Sequence, residues 1–205
     1  MYVDAYKTQN CNVVKSLKAI ILSEKEYMEM RKLKNEELGR LTIDEYKNSD
    51  KTPIAVVLDN IRSLNNIGSV FRTGDGLRIE AVYLCGITAQ PPNKDIHKTA
   101  LGATESVTWK YFEDTKQAIK ELKRDGYFIA SIEQAENSIS LEKFEVETNK
   151  KYAVIFGHEV KGVAQEIVDM SDACIEIPQF GTKHSFNISV SAGIVLWELF
   201  RKLKY

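Results

Sequence analysis

The chain has 205 residues, 43% of them hydrophobic and 28% charged, which suffices for one well-packed domain of about 150 residues plus an extension. Its formal net charge of −1 supplies no global field for nucleic acid, so a polyanion would have to meet a local basic patch. Cys11, Cys85 and Cys174 are odd in number and without a Cys-x-x-Cys, which argues against a disulfide framework and a zinc site and fits a reducing cytoplasm.

His97, His158 and His184 lack metal-ligand spacing, so no metal is expected. No run approaches the ~18 apolar residues of a membrane span, and no signal-like start is visible, so a soluble cytoplasmic protein is expected.

Residues 1–50 read as a helical N-terminal extension: polar, charged, without proline and with Gly39 as the only glycine. Ser23 and Glu26 form a capping box for a helix over Ser23–Leu38. On it Arg31, Lys32 and Lys34, with Arg40 beyond, interleave with glutamates, the pattern of a solvated helix face that could also touch phosphates. A start at Met30 would leave a complete protein, and residues 1–29 are expected to be weakly ordered. Lys51-Thr52-Pro53 reads as a linker, and the domain proper is taken as 51–205.

Ile54–Leu58 is short, apolar and rich in β-branched residues, which suits a strand buried on both faces. A helix capped by Asn66 follows, with Ile67, Val70, Phe71, Gly74 and Leu77 on the core face. Its opposite face carries Asn65, Ser69, Arg72 and Gly76. Helix geometry alone leaves Arg72 open between a solvated surface arginine and a functional group. Ile79–Cys85 is the next strand, and the loop from Gly86 through Pro91-Pro92 to Asn93 lies at its carboxyl end, where open α/β sheets bind ligands.

Val107–Phe112 reads as a strand, and Asp114–Arg124 as an amphipathic helix with Ala118, Ile119 and Leu122 inward, ended by Gly126. Tyr127–Ile132 is a strand, residues 133–150 are polar and irregular, and 152–156 is another apolar strand. Alternating strands and helices give an α/β fold with a mainly parallel sheet and helices on both faces.

The strand ending at Phe156 runs into Gly157-His158-Glu159-Val160-Lys161-Gly162, where two glycines allow close backbone approach to a ligand or a plain strand-to-helix turn. Farther on stands Ile177-Pro178-Gln179-Phe180-Gly181, then Ser185-Phe186-Asn187-Ile188-Ser189-Val190, opening a final helix. That helix is apolar nearly all round through Ile188, Val190, Ile194, Val195, Trp197, Phe200 and Leu203, so one face is expected to bury in a second copy. Gly-x-Gly-x-x-Gly, the Walker P-loop and Gly-x-Ser-x-Gly are all absent, which removes an ordinary dinucleotide oxidoreductase, a P-loop enzyme and an α/β-hydrolase.

In this order and spacing the three segments resemble the SpoU, or TrmH-like, branch of the SPOUT RNA methyltransferases, over roughly residues 51–205. Asn66-x-Gly68-x-x-x-Arg72 resembles the first motif and Gly157-x-Glu159-x-x-Gly162 the second. Ile177-Pro178-x-x-Gly181 with Ser185–Val190 resembles the third, Phe186 replacing the usual leucine while every polar position is kept.

The resemblance implies a sheet whose C-terminal part forms a deep trefoil knot, with S-adenosylmethionine bound by its loops. Leu84, Cys85, Gly86, Phe156, Gly157, Gly162, Ile177, Pro178, Gly181, Ser185 and Asn187 are the residues it assigns to the cofactor. It implies methyl transfer to a ribose 2′-hydroxyl of tRNA or rRNA by a homodimer joined through the C-terminal helix and knot. Arg72, Asn66, Glu159, Ser185 and Asn187 are the implied catalytic set. A knotted RNA-binding or assembly protein without turnover is the alternative, and missing motif residues would be its mark.

Overall fold

The computed structural model describes residues 30–205. The expected helix over Ser23–Leu38 is not formed in its described part: residues 30–34 are irregular, and only Asn35–Leu38 make a turn of 3-10 helix. That turn opens at Lys34, whose N–H the Glu37 carboxylate accepts at 2.7 Å while it also holds the Arg31 guanidinium at 2.8 and 3.0 Å. Ser23 and Glu26, and the question of order over 1–29, lie outside the described residues.

The second unit runs from Leu41 to Tyr205. It opens with helix α1, Ile43–Asn48, where Thr42 and Glu45 form a reciprocal capping box and Tyr46 enters the core. The strands are β1 (Thr52–Asp59), β2 (Ile79–Cys85), β3 (Trp109–Phe112), β4 (Tyr127–Ile132), β5 (Ile139–Ser140), β6 (Lys151–Phe156) and β7 (Ala173–Glu176). They form one seven-stranded sheet in the order β3-β2-β1-β6-β4-β7-β5, every pairing parallel. Helix α2 is Leu64–Gly76, α3 Lys94–Ala100, α4 Ala103–Ser106, α5 Thr115–Arg124, α6 Gln165–Met170 and α7 Ile188–Lys204.

Period-two alternation in β1 explains the layering. Ile54, Val56 and Leu58 enter a core shared with α2 and α7, while Ala55 and Val57 enter a second core with Ala118, Ile119 and Leu122 of α5 and Ile167 of α6. Helices therefore cover both faces, which is why β1 shows no polar alternation in sequence.

Beyond the N-terminal helix, four expectations differ from the structure. Residues 133–150, read as polar and irregular, contain β5 and the buried Leu141 and Phe144. Thr52 and Pro53 belong to β1 and not to a linker; the register shifts between Thr52 and Ala55, an irregularity at which a strand tolerates proline. The strand expected from Val107 starts at Trp109, because the Val107 N–H closes α4 on Ala103 O. Asn66 does not cap α2: Ser63 does, its hydroxyl accepting the Asn66 N–H, and Asn66 sits buried in the first turn.

On the expected core face of α2, Ile67, Val70, Phe71 and Gly74 are buried, while Leu77 follows the helix as its C-cap and is only half-buried; Arg72 is exposed. Gly68 marks where α3 crosses α2: a Cβ there would stand 2.3 Å from Ile96 O and 2.1 Å from Thr99 Oγ1.

Candidate cofactor and active site

β1 and β6 are adjacent and parallel, so the loops leaving their carboxyl ends meet. From the β6 loop Glu159 reaches the approach to α2, its carboxylate accepting the backbone N–H of Arg62 at 3.1 Å and of Ser63 at 2.9 Å. Burial pushes this carboxyl up, but the N–H groups of Ser63, Glu159 and Arg62 and the Asn66 side chain together outweigh it, holding the group below the usual carboxylate range.

Asn66 Oδ1 accepts from Asn187 Nδ2 at 3.2 Å. Asn187 in turn caps α7, its Oδ1 accepting the Ser189 N–H at 2.9 Å and the Ser189 hydroxyl at 2.7 Å. Residues about 120 positions apart in sequence are thereby tied at the start of two helices.

Beside this junction lies a cleft of about 650 Å³, within the ~300–1,000 Å³ range of small-molecule sites. Ile132 and Phe156, at the ends of β4 and β6, form its floor, and residues from the 157–163 and 177–188 loops form its walls. Of the residues proposed from sequence, Phe156, Gly157, Glu159, Gly162, Ile177, Ser185 and Asn187 line the cleft. Leu84, Cys85, Gly86, Pro178, Gly181, Asn66 and Arg72 are not among its lining residues.

The reasons differ by residue. Leu84 and Cys85 are fully buried within β2, and burial pushes the Cys85 thiol up to about 12, with Asp59 and Asp114 adding to the rise against a Thr115 hydrogen bond. Gly86, at φ +61°, turns the chain where a Cβ would meet Asn60 Oδ1 at 2.2 Å. A Cβ on Gly181 would meet nothing within 4 Å. Arg72 is exposed on the outer face of α2, and among the described residues it enters no ion pair.

Gly157 and Gly162 have a steric reason. A Cβ on Gly157 would lie 2.2 Å from Gly162 C, and Gly162, at φ +69°, has no room for one beside Glu133 Oε2 at 2.1 Å. This tight loop puts backbone against the cleft, which suits a ligand held by peptide groups. Sequence reasoning missed Glu133, Gln134, Gln179 and His184, all of which line the cleft. Glu133 and Gln134 could have been found as the first polar residues beyond an apolar strand. Among the described residues no group of His, Cys, Asp and Glu could hold a metal ion.

A parallel α/β sheet, with a ligand-sized cleft walled by glycine loops at its strands' carboxyl ends, defines the class of protein: a small-molecule-binding α/β fold. The chain belongs to the SpoU rRNA methylase family, whose description matches residues 53–197.

It is similar to the tRNA (guanosine(18)-2′-O)-methyltransferase of Borreliella burgdorferi, 31% identical over 152 residues, 74% of this chain and 67% of that protein. It is also 30% identical over 159 residues to the 23S rRNA (guanosine-2′-O-)-methyltransferase RlmB of Neisseria meningitidis serogroup B, covering 78% of this chain and 62% of that one. Against putative TrmH family tRNA/rRNA methyltransferases of staphylococci the chain spans 63 or 64% of the relative's length.

Among solved structures, the TrmH/SpoU tRNA modifying enzyme of A. aeolicus aligns with a TM-score of 0.69 at 26% identity, covering 78% of this chain and 80% of that one. The AdoMet-bound rRNA methyltransferase of Sinorhizobium meliloti shares the fold with a TM-score of 0.69 at 23% identity, covering 80% and 60%.

Proposed function

We propose that the protein transfers a methyl group from S-adenosylmethionine to a ribose 2′-hydroxyl of RNA. The observation that carries this reading is the convergence of the three motif segments: Glu159 on Arg62 and Ser63, and Asn187 on Asn66, beside the cleft. Family membership supports it, as do relatives named for 2′-O-methylation of tRNA and of rRNA. A tRNA is the first substrate to test, because the relative at 31% identity carries a tRNA name.

The cleft fits the cofactor: apolar Phe156, Ile177 and Ile188 offer surface for a nucleoside, and the 157–163 backbone and the Ser185 and Asn187 side chains offer polar partners. When bound, S-adenosylmethionine supplies an electrophilic sulfonium methyl. An alcohol is a weak nucleophile, so the protein must orient the ribose hydroxyl and ease its proton away. Arginine stays protonated at neutral pH and cannot be the base. Arg72 instead binds the target phosphate bidentately and holds the hydroxyl, a phosphate oxygen receiving the proton. Asn66 fixes the helix and cleft relative to each other, Glu159 holds the approach to that helix, and Ser185 and Asn187 complete the polar side of the site.

Two features of assembly belong to the same reading. Val190, Ile194 and Trp197 form an exposed stripe at i, i+4 and i+7 on α7, opposite the buried Ile188, Ala192, Val195 and Leu199. We read it as the homodimer face, with Arg72 serving a cleft completed across that interface. The knot is read from family membership. After β7 the chain passes the ends of β4 and β6, lining the cleft, before α7 begins at Asn66 of α2 beside β1.

Titration with S-adenosylmethionine against NAD, followed by methyl transfer to tRNA and rRNA, tests the proposal. Arg72→Ala should retain cofactor binding and lose about 100-fold or more in single-turnover rate. Full single-turnover activity in this variant would remove Arg72 from the mechanism, and a turnover-free wild type that binds RNA would favour the assembly-protein reading.

A further inference from the structure

Glu133 and Gln134 stand at the carboxyl end of β4, outside the three motif segments, and line the cleft. Each grips a different wall. Glu133 Oε2 accepts the Val163 N–H at 3.0 Å, at the close of the tight 157–163 loop. Its other oxygen accepts the Gln134 N–H at 2.8 Å. The Gln134 side chain then donates from Nε2 to His184 O at 2.7 Å, in the loop that leads to α7.

The pair is itself anchored to the sheet. The Glu133 N–H donates to Ile175 O at 3.1 Å, and Cys174 Sγ donates to Glu133 O at 3.4 Å, both partners being on β7. Glu133 enters no ion pair among the described residues, so its carboxylate is committed to backbone N–H groups. Gly162, whose missing Cβ would fall 2.1 Å from Oε2, leaves the space this carboxylate fills.

We infer that Glu133 and Gln134 are positioning residues, a two-residue clamp that holds both walls of the cleft in the spacing its nucleoside ligand requires. This rests on the cofactor reading above. The physical reason is preorganisation: residues 180–187 are all exposed, and a loop with so little burial stays in one conformation only where specific bonds fix it. Charge-assisted bonds from a carboxylate to backbone N–H groups are the stronger of the two grips, so Glu133 should matter more than Gln134.

The test compares wild type with Glu133→Ala, Gln134→Ala and Glu133→Asp. Isothermal titration with S-adenosylmethionine and with S-adenosylhomocysteine reads the cleft, and amide exchange by NMR reads the loops. Glu133→Ala should weaken both ligands about tenfold or more and Gln134→Ala about threefold, with KM for the methyl donor rising more than kcat falls. Glu133→Asp should recover part of the loss.

Amide protection should fall at Val163 in Glu133→Ala, and across 179–187 in Gln134→Ala. A lowered melting temperature with ligand affinities unchanged would overturn the inference. If wild type binds neither ligand, the cofactor reading fails on its own, and the exchange at Val163 still decides whether the clamp exists.

Discussion

The β1–α2–β2 unit and the loops of the cleft keep their shape by different means. In the first, Ile54, Val56 and Leu58 on β1, Phe71 on α2 and Leu84 on β2 are all fully buried, so shape follows from packing on every side. In the second, residues 180–187 are exposed, and form depends on single side chains closing backbone bonds: Glu159 to Arg62 and Ser63, Glu133 to Val163, Gln134 to His184, Asn187 to Ser189. The scaffold should therefore tolerate loss of any one polar contact, while the cleft should lose function from changes that barely affect stability.

The strongest challenge to that contrast is Phe71→Ala beside Arg72→Ala, consecutive residues of α2 of which the first is buried and the second exposed. Phe71→Ala should cost about 3–5 kcal/mol in urea unfolding, and Arg72→Ala less than ~0.5 kcal/mol. Comparable losses would mean that Arg72 is part of the scaffold.

Gly157→Ala comes next. Its Cβ would strike the Gly162 carbonyl carbon at 2.2 Å, which backbone cannot yield without moving, so about 1–3 kcal/mol should be lost together with ligand binding. Unchanged binding would show that the loop can relax without the cleft noticing.

The smallest effect should come from Glu159→Gln. A carboxyl held below its ordinary range contributes stability that is fully present above the unfolded value, near pH ~4.3, and is lost as pH falls through the folded value. The acid limb of stability against pH should thus be shallower in Glu159→Gln than in wild type. Identical limbs would mean that the bonds to Arg62 and Ser63 do not outweigh the burial of the group.

Elements whose residues are buried on a regular period could be read directly. β2 was expected at Ile79–Cys85 and forms there, and the inward residues of α5 were legible from their spacing. α1 lies within the stretch expected to be helical, but its bounds are not legible although Thr42 and Glu45 carry its capping box, because Ile43 and Tyr46 alone give no apolar stripe. Asn66 was misplaced by three residues since Ser63 and Asn66 are both good caps, and only the burial of Asn66 against Asn187 decides between them.

For the site, glycine spacing pointed to Gly157 and Gly162, whose missing side chains are a steric requirement. Gly181, assigned through the resemblance, has open space where a Cβ would stand, so no steric requirement for glycine exists there. Motif spacing could not show that Leu84 and Cys85 are fully buried, on opposite faces of the sheet, nor that Glu133 and Gln134 bond to the walls of the cleft.

By itself the sequence determined the parallel α/β class and most of the core face of α2, because these depend on local periodicity, and its three motif segments carried the resemblance to the family. Tertiary structure alone decided that Asn187 meets Asn66, that Glu159 serves the approach to α2, and that Glu133 and Gln134 hold the cleft. Each of those contacts joins segments 30 or more residues apart, and a bond made by the crossing of loops leaves no period in the chain.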